Sequence, residues 1–204
     1  GKNFSCKPQG NLNLNKDILK LSKFKIIFFL LISTNLSGMD LVNRDKPSYN
    51  IFDYKWELIT DSVMGGLSVG DLEAVNYEEG MFYKLTGSVS TKNNGGFIQF
   101  RSKVELEDND YKGIEIEYRN NGAGENYYIH ITTIFTVLPW QYYEAILPSN
   151  RKWTSLKIPL SNFQKSHFYQ PKQFSPKNIK TIGFAAIGGD FDAELDIKRI
   201  TLYK

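Results

Sequence analysis

Residues 56–68 read Trp56-Glu57-Leu58-Ile59-Thr60-Asp61-Ser62-Val63-Met64-Gly65-Gly66-Leu67-Ser68, and a second segment answers them at Asn93-Asn94-Gly95-Gly96-Phe97-Ile98-Gln99-Phe100-Arg101. Each sets a Gly-Gly pair beside apolar residues with strand character. Paired glycines in that setting mean backbone at φ > 0, or the approach of another segment too close for a Cβ. A tight corner of a β-sandwich meets that demand, and a bound ligand is the competing explanation. The residues themselves describe a β-rich domain and name no reaction.

Outward from these segments the chain carries short strand-like runs separated by turn residues, with little sustained helical periodicity. Met81–Val89 alternates Met81, Tyr83 and Leu85 against Phe82, Lys84 and Thr86. Phe97–Val104 sets Phe97 and Gln99 against Ile98 and Phe100. In Tyr111–Arg119 the residues Ile114, Ile116 and Tyr118 share one face and Glu115, Glu117 and Arg119 the other, the pattern of a half-buried strand. Tyr127–Phe135, Tyr142–Leu147, Trp153–Leu160, Thr181–Ile187 and Ala193–Tyr203 follow. Pro159 makes the end of its run an edge or a terminus. In the last run the apolar parity shifts after Ile197, which predicts a bulge near Lys198-Arg199. Ser161–Asn178 reads as a long loop with one helical turn. The fold class is therefore all-β, an antiparallel sandwich of jelly-roll type, with no internal repeat.

Cysteine and charge narrow the function classes. Cys6, His130 and His167 are the only residues of their kinds, which excludes a disulfide framework within the chain and a zinc site of the usual Cys/His spacing. Residues 1–50 hold eight Lys/Arg and three Asp/Glu, so the remainder, with 17 basic and 19 acidic residues, is slightly acidic. A nucleic-acid-binding body would carry a basic face instead.

The expected organisation is an N-terminal leader over residues 1–50 and a single sandwich domain over residues 51–204. Within the leader, Lys20, Lys23 and Lys25 precede the apolar run Ile26–Ile32, and Ser33, Thr34, Ser37 and Gly38 follow. Residues 24–38 thus have the layout of a secretory signal, and the run is far short of the ~20 apolar residues of a membrane-spanning helix. A membrane-surface helix and a buried apolar segment are the alternatives. Residues 1–19, with Asp17, read as an over-called start or an unstructured leader. No arginine occurs in the first 43 residues, against a mitochondrial-type transit peptide. Asn43–Asn50 reads as a linker. Export or membrane association in a bacterial envelope is the expectation, with the cytoplasmic or matrix side of a respiratory membrane as the alternative.

Candidate chemistry is sparse. Val63-Met64-Gly65-Gly66-Leu67-Ser68 lacks the Gly-Lys-Ser/Thr of a phosphate loop, and Gly122-Ala123-Gly124 lacks the third glycine of a dinucleotide fingerprint. No Gly-x-Ser-x-Gly elbow accompanies the histidines. His130 reads as a half-buried strand residue and His167 as an exposed or interfacial loop residue. Asp190 and Asp192 are weak calcium candidates, in a run that strand alternation explains as well. Trp140, Tyr142, Tyr143, Phe168 and Tyr169 form a candidate binding surface, since aromatic platforms stack on sugars or serve as protein hot spots.

Taken in order, these motifs resemble the complex I intermediate-associated protein 30 family over roughly residues 54–203. The resemblance rests on Trp56, Asp61-Ser62-Val63-Met64-Gly65-Gly66-x-Ser68, Asn94-Gly95-Gly96-Phe97 and Arg101. It continues through Tyr127, Tyr143-x-Ala145, Trp153-x-x-Leu156-x-Ile158-Pro159-Leu160, Ile182-Gly183-Phe184 and Leu195-x-Ile197-x-x-Ile200-x-x-Tyr203. Gly122-Ala123-Gly124 departs from the family's glycine–aspartate–glycine turn, and Asp192-Ala193-Glu194-Leu195 from its terminal Gly-x-Phe-x-Leu. The resemblance implies a galactose-binding-like jelly roll with no known catalytic residues, and no cofactor is expected. It also implies a chaperone-like role in assembling membrane NADH:quinone oxidoreductase, with a protein partner such as a subunit of that complex. On this reading the motif residues are structural. The alternative is a carbohydrate-binding module of the cell envelope with a glycan partner.

Overall fold

The structure is a computed structural model and describes residues 38–121 and 126–204. The signal-like segment upstream of Gly38 and the Gly122–Gly124 turn lie outside the described residues.

Among the described residues twelve strands form two antiparallel sheets packed face to face. In the first sheet β3 (Val69–Tyr77), β4 (Gly80–Val89), β12 (Phe191–Tyr203), β6 (Gly113–Asn120) and β9 (Thr154–Pro159) are neighbours in that order. The long β12 pairs with β4 through its first half and with β1 (Gly38–Asp40) near its end. The second sheet runs β10 (Gln164–Lys165), β8 (Tyr143–Ile146), β7 (Tyr127–Thr133), β11 (Ile179–Ile187), β5 (Phe97–Lys103) and β2 (Glu57–Thr60). The architecture is the expected galactose-binding-like jelly roll.

Alternation explains the core. Tyr83 and Leu85 on β4, Ile114, Ile116 and Tyr118 on β6, Ile98 and Phe100 on β5, and Ile129 and Ile131 on β7 all point between the sheets and are buried. Trp56 lies at the centre, 3% exposed, with its ring 5.4 Å from that of Tyr83 and 5.6 Å from that of Phe100. Pro159 ends β9, the edge of its sheet, where the ladder asks no N–H of it. The β12–β6 register shifts between Ile197 and Arg199, which is the expected bulge.

One boundary and one strand differ from expectation. The fold begins ahead of Ile51: β1 lies on β12, Leu41 is fully buried, and the Asn50 amide donates to the Ser102 hydroxyl at 3.0 Å. Asn43–Asn50 is therefore part of the domain rather than a linker. Its polar composition concealed this, because Asn50 is a hydrogen-bonding hub that also accepts from the N–H groups of Phe52 and Tyr54. The second addition is β3, which carries no apolar alternation because it is an edge strand with little burial on either side.

Candidate functional site

The Gly-Gly segments meet around one carboxylate. Asp61 opens a short 3-10 turn (Asp61–Met64) after β2 and is fully buried. It accepts hydrogen bonds from the N–H of Ser68 at 2.9 Å, of Gly96 at 2.6 Å and of Phe97 at 3.3 Å, and from the Ser68 hydroxyl. Burial raises its pKa, and these donors outweigh burial and hold it below the ordinary carboxylate value. Within each glycine pair the two residues serve different needs. Gly66 and Gly95 press on the Asp61 carboxylate so closely that a Cβ at either would collide with it. Gly65 (φ 86°) and Gly96 (φ 128°) supply backbone conformations that L side chains resist. The caged turn presents Val63 and Met64, 73% and 61% exposed, as one wall of a cleft.

The facing wall is knitted by two buried glutamines. Gln141 Oε1 accepts from the N–H groups of Val137 (2.7 Å) and Leu138 (2.9 Å), while its amide donates to the Tyr169 hydroxyl. Gln170 Oε1 accepts from His167 N–H at 2.8 Å and from the Ser166 hydroxyl at 3.0 Å, and its amide donates to the Tyr142 carbonyl at 3.2 Å. The loops around Trp140 and Tyr169 are thus tied together. Neither glutamine was singled out in the sequence, where an isolated Gln carries no signal.

Between the walls lies a cleft of about 550 Å³ across the outer face of the second sheet. Its floor includes Gln99 and Arg101 of β5, Gly183 of β11, and His130 and Thr132 of β7. The His130 ring stacks on that of Tyr142 at 4.1 Å, and its Nε2 is buried, 3.8 Å from Glu144 Oε2, without a hydrogen-bond partner among the described residues. Burial pushes His130 down to about 4 and Glu144 up, so the imidazole is neutral at pH 7 and the pair is not a salt bridge.

The candidate aromatics divide by strand parity. Trp140 and Tyr142 reach the cleft, but Tyr143 does not belong to a surface. It is fully buried, its ring 4.5 Å from that of Phe174 and its hydroxyl donating to the Pro171 carbonyl at 2.9 Å. Tyr142 immediately precedes β8, and successive residues of extended chain face opposite ways, so Tyr142 and Tyr143 could not share a platform. Phe168 and Tyr169 are exposed, their rings in edge contact at 5.1 Å. Of the motif residues, Trp56 and Asp61 are internal, whereas Met64, Phe97 and Arg101 line the cleft. The motif therefore builds the site as well as the fold.

The weak metal candidates are otherwise engaged or solitary. Asp190 accepts from the Thr91 hydroxyl at 2.9 Å, and Asp192 is exposed. Among the described residues no group of three His, Cys, Asp or Glu side chains could hold a metal ion. Ser166 and His167 are hydrogen-bonded at 2.8 Å, but the Ser166 hydroxyl is already used by the Tyr142 N–H and by Gln170.

Compared with protein families, residues 46–197 match the model of Complex I intermediate-associated protein 30 (CIA30). The chain belongs to the CIA30 family. The family match spans the Asp61 cage, both walls and the floor of the cleft. No curated protein matches the sequence. Among solved structures, this CIA30 domain is similar to the family 11 carbohydrate-binding module of the Clostridium thermocellum cellulosomal cellulase Lic26A-Cel5E. The TM-score is 0.56 at 18% identity, over 72% of this chain and 86% of that one. The same organism's family 11 module in complex with a β-1,3-1,4-mixed-linked tetrasaccharide gives a TM-score of 0.55 at 18% identity, over 72% and 88% of the two chains. At such identity these likenesses establish the sandwich fold of this CIA30 domain and nothing further.

Proposed function

We propose that this chain is a non-enzymatic, chaperone-like binding domain that assists the assembly or stability of a membrane NADH:quinone oxidoreductase, gripping a partner polypeptide in the cleft of the second sheet. Family membership supports the assembly role. One observation carries the choice of surface. Two pre-organised walls, one bearing Val63 and Met64 and the other Trp140, expose apolar side chains toward a common cleft. Exposed apolar surface rimmed by polar residues marks interaction sites, and Trp is prominent among hot-spot residues. The lysine-flanked run Ile26–Ile32 supports an exported or membrane-associated location. N-terminal sequencing of the mature protein tests that location: removal of this run supports export, and an intact cytoplasmic chain overturns it.

Affinity purification of the full chain from solubilised membranes tests the function. Subunits of the oxidoreductase should co-purify with the wild type and be lost with Trp140→Ala and Met64→Ser, both variants keeping wild-type stability. Recovery of free protein alone, with levels of the complex unchanged on deletion, overturns the reading.

A cell-envelope carbohydrate-binding role is the second reading. It is favoured by Trp140, 54% exposed at the cleft rim, on a sandwich like that of a module bound to a tetrasaccharide. Silence on a glycan array removes it.

A further inference from the structure

The cleft does not end at its apolar walls. A second trough of about 790 Å³ continues from it and shares Arg101, Thr132, Pro139, Gln141 and Thr181 with it. The two ends differ in chemistry. The first is lined by Ile59, Val63, Met64 and Phe97 opposite Trp140. The second also carries the exposed apolar side chains Ile134, Val137 and Leu138, but it adds Lys103, Lys177 and Lys180 beside Arg101, against the carboxylates Glu105 and Glu107. Four cationic side chains thus face two carboxylates, so cation is in excess.

Arg101 sits where the two ends join. Its side chain makes no hydrogen bond or ion pair among the described residues, even though Glu57 is its cross-strand neighbour on β2. On the other side its neighbour in register is Gly183, where an added Cβ would come within 2.8 Å of the Arg101 Cβ. The missing side chain at Gly183 thus leaves the guanidinium space across the floor. A positive group held open in this way, between an apolar end and a basic end, invites a carboxylate.

Building on the binding role proposed above, we propose that cleft and trough form one continuous track for a partner polypeptide segment in which bulky apolar side chains are followed by carboxylates. The apolar end argues against a glycan, because hydroxyl groups laid on Val63 and Met64 would lose hydrogen bonds to water without replacing them. It also argues against nucleic acid, whose phosphates would need cations along the whole track. The chain's own apolar run, Ile26–Ile32, is preceded by Lys20, Lys23 and Lys25, the wrong charge for the basic end.

Fluorescence anisotropy with the full chain and short labelled synthetic peptides tests this. One peptide carries a Leu/Phe block followed by Asp/Glu, a second replaces Asp/Glu with Lys, and a third scrambles the first. The first peptide should bind about tenfold more tightly than the other two, with the advantage fading at high salt. The double variant Arg101→Glu/Lys180→Glu should invert the preference toward the lysine peptide, a result that misfolding cannot produce. Equal binding of the three peptides, or no inversion in a variant with wild-type unfolding behaviour, overturns the charge-ordered track. If co-purification with the oxidoreductase still depends on Trp140 and Met64 in that case, the assembly reading stands without it. Tighter binding of a mixed-linked glucan oligosaccharide than of any peptide overturns the track in favour of a glycan.

Discussion

The main-chain N–H of Gly96 lies 2.6 Å from Oδ2 of Asp61, a residue 35 positions earlier in the chain. Through that contact a single buried carboxylate pins the turn after β2 to the entry of β5, and so sets the Met64 wall beside Phe97.

Replacing Asp61 with Asn keeps the shape but removes the charge and turns its NH2 toward N–H donors. We expect a loss of about 3 kcal/mol in urea denaturation, the scale of a buried charged acceptor deprived of its role. Because the folded-state pKa is lowered, the carboxylate's contribution is full above its unfolded value of 3.8 and is lost as pH falls through the lower folded value. The wild type should therefore lose stability on acidification in that window, and Asp61→Asn should lack this component. Parallel acid profiles for the two proteins would refute the cage.

Gly66→Ala should destabilise the protein more than Gly65→Ala. At Gly66 the new methyl group enters the space of the Asp61 carboxylate, whereas at Gly65 no atom of the described residues lies within 4 Å and the φ of 86° is what opposes it. The Gly65 cost is about 1–2 kcal/mol. Thermal unfolding of the two variants ranks them, and the reverse order would count against close packing.

Gln141→Leu removes the acceptor of two N–H groups and the partner of Tyr169. A cost of about 1–3 kcal/mol is expected for the groups left unpaired. Hydrogen exchange should speed up at Val137 and Leu138 while β7 and β11 keep their protection. Uniform loss of protection across the sheet would instead make Gln141 a core residue rather than a tie between loops.

His130 offers a pH signature near neutrality. It takes up protons below 6.5 when unfolded but only near 4 when folded, so the unfolded state binds more protons between those values and stability falls as pH drops from 7 toward 4. From pH 7 to pH 5 the loss attributable to this group is about 2 kcal/mol. His130→Gln should flatten the urea-denaturation profile over that interval, and an unchanged slope would show that the ring is not held neutral by burial.

Most of the sandwich was legible because burial writes a two-residue period. Ile114, Ile116 and Tyr118 declared their face, and the parity shift after Ile197 declared a bulge that the β12–β6 register contains. Edge elements were not legible. Val69–Tyr77 is only partly covered, Leu72 touching the core from the edge, and so shows no apolar alternation, and β1 is a three-residue strand defined by its neighbour β12.

By itself the sequence determined that this is an all-β sandwich of the CIA30 family and that its two Gly-Gly segments demand unusual backbone or a close approach, with a sandwich corner and a bound ligand both open as the reason. Local period, turn chemistry and motif spacing are properties of contiguous residues. Only the tertiary structure decided that Asp61 is the object both glycine pairs surround, and that Tyr142 faces a cleft while Tyr143 faces the core. It also decided that Gln141 and Gln170 build a wall, and that Arg101, unpaired among the described residues, stands where an apolar end meets a basic one. Each of these depends on which distant strands become neighbours, and that pairing is set by the packing of the two sheets together rather than by any one stretch of chain.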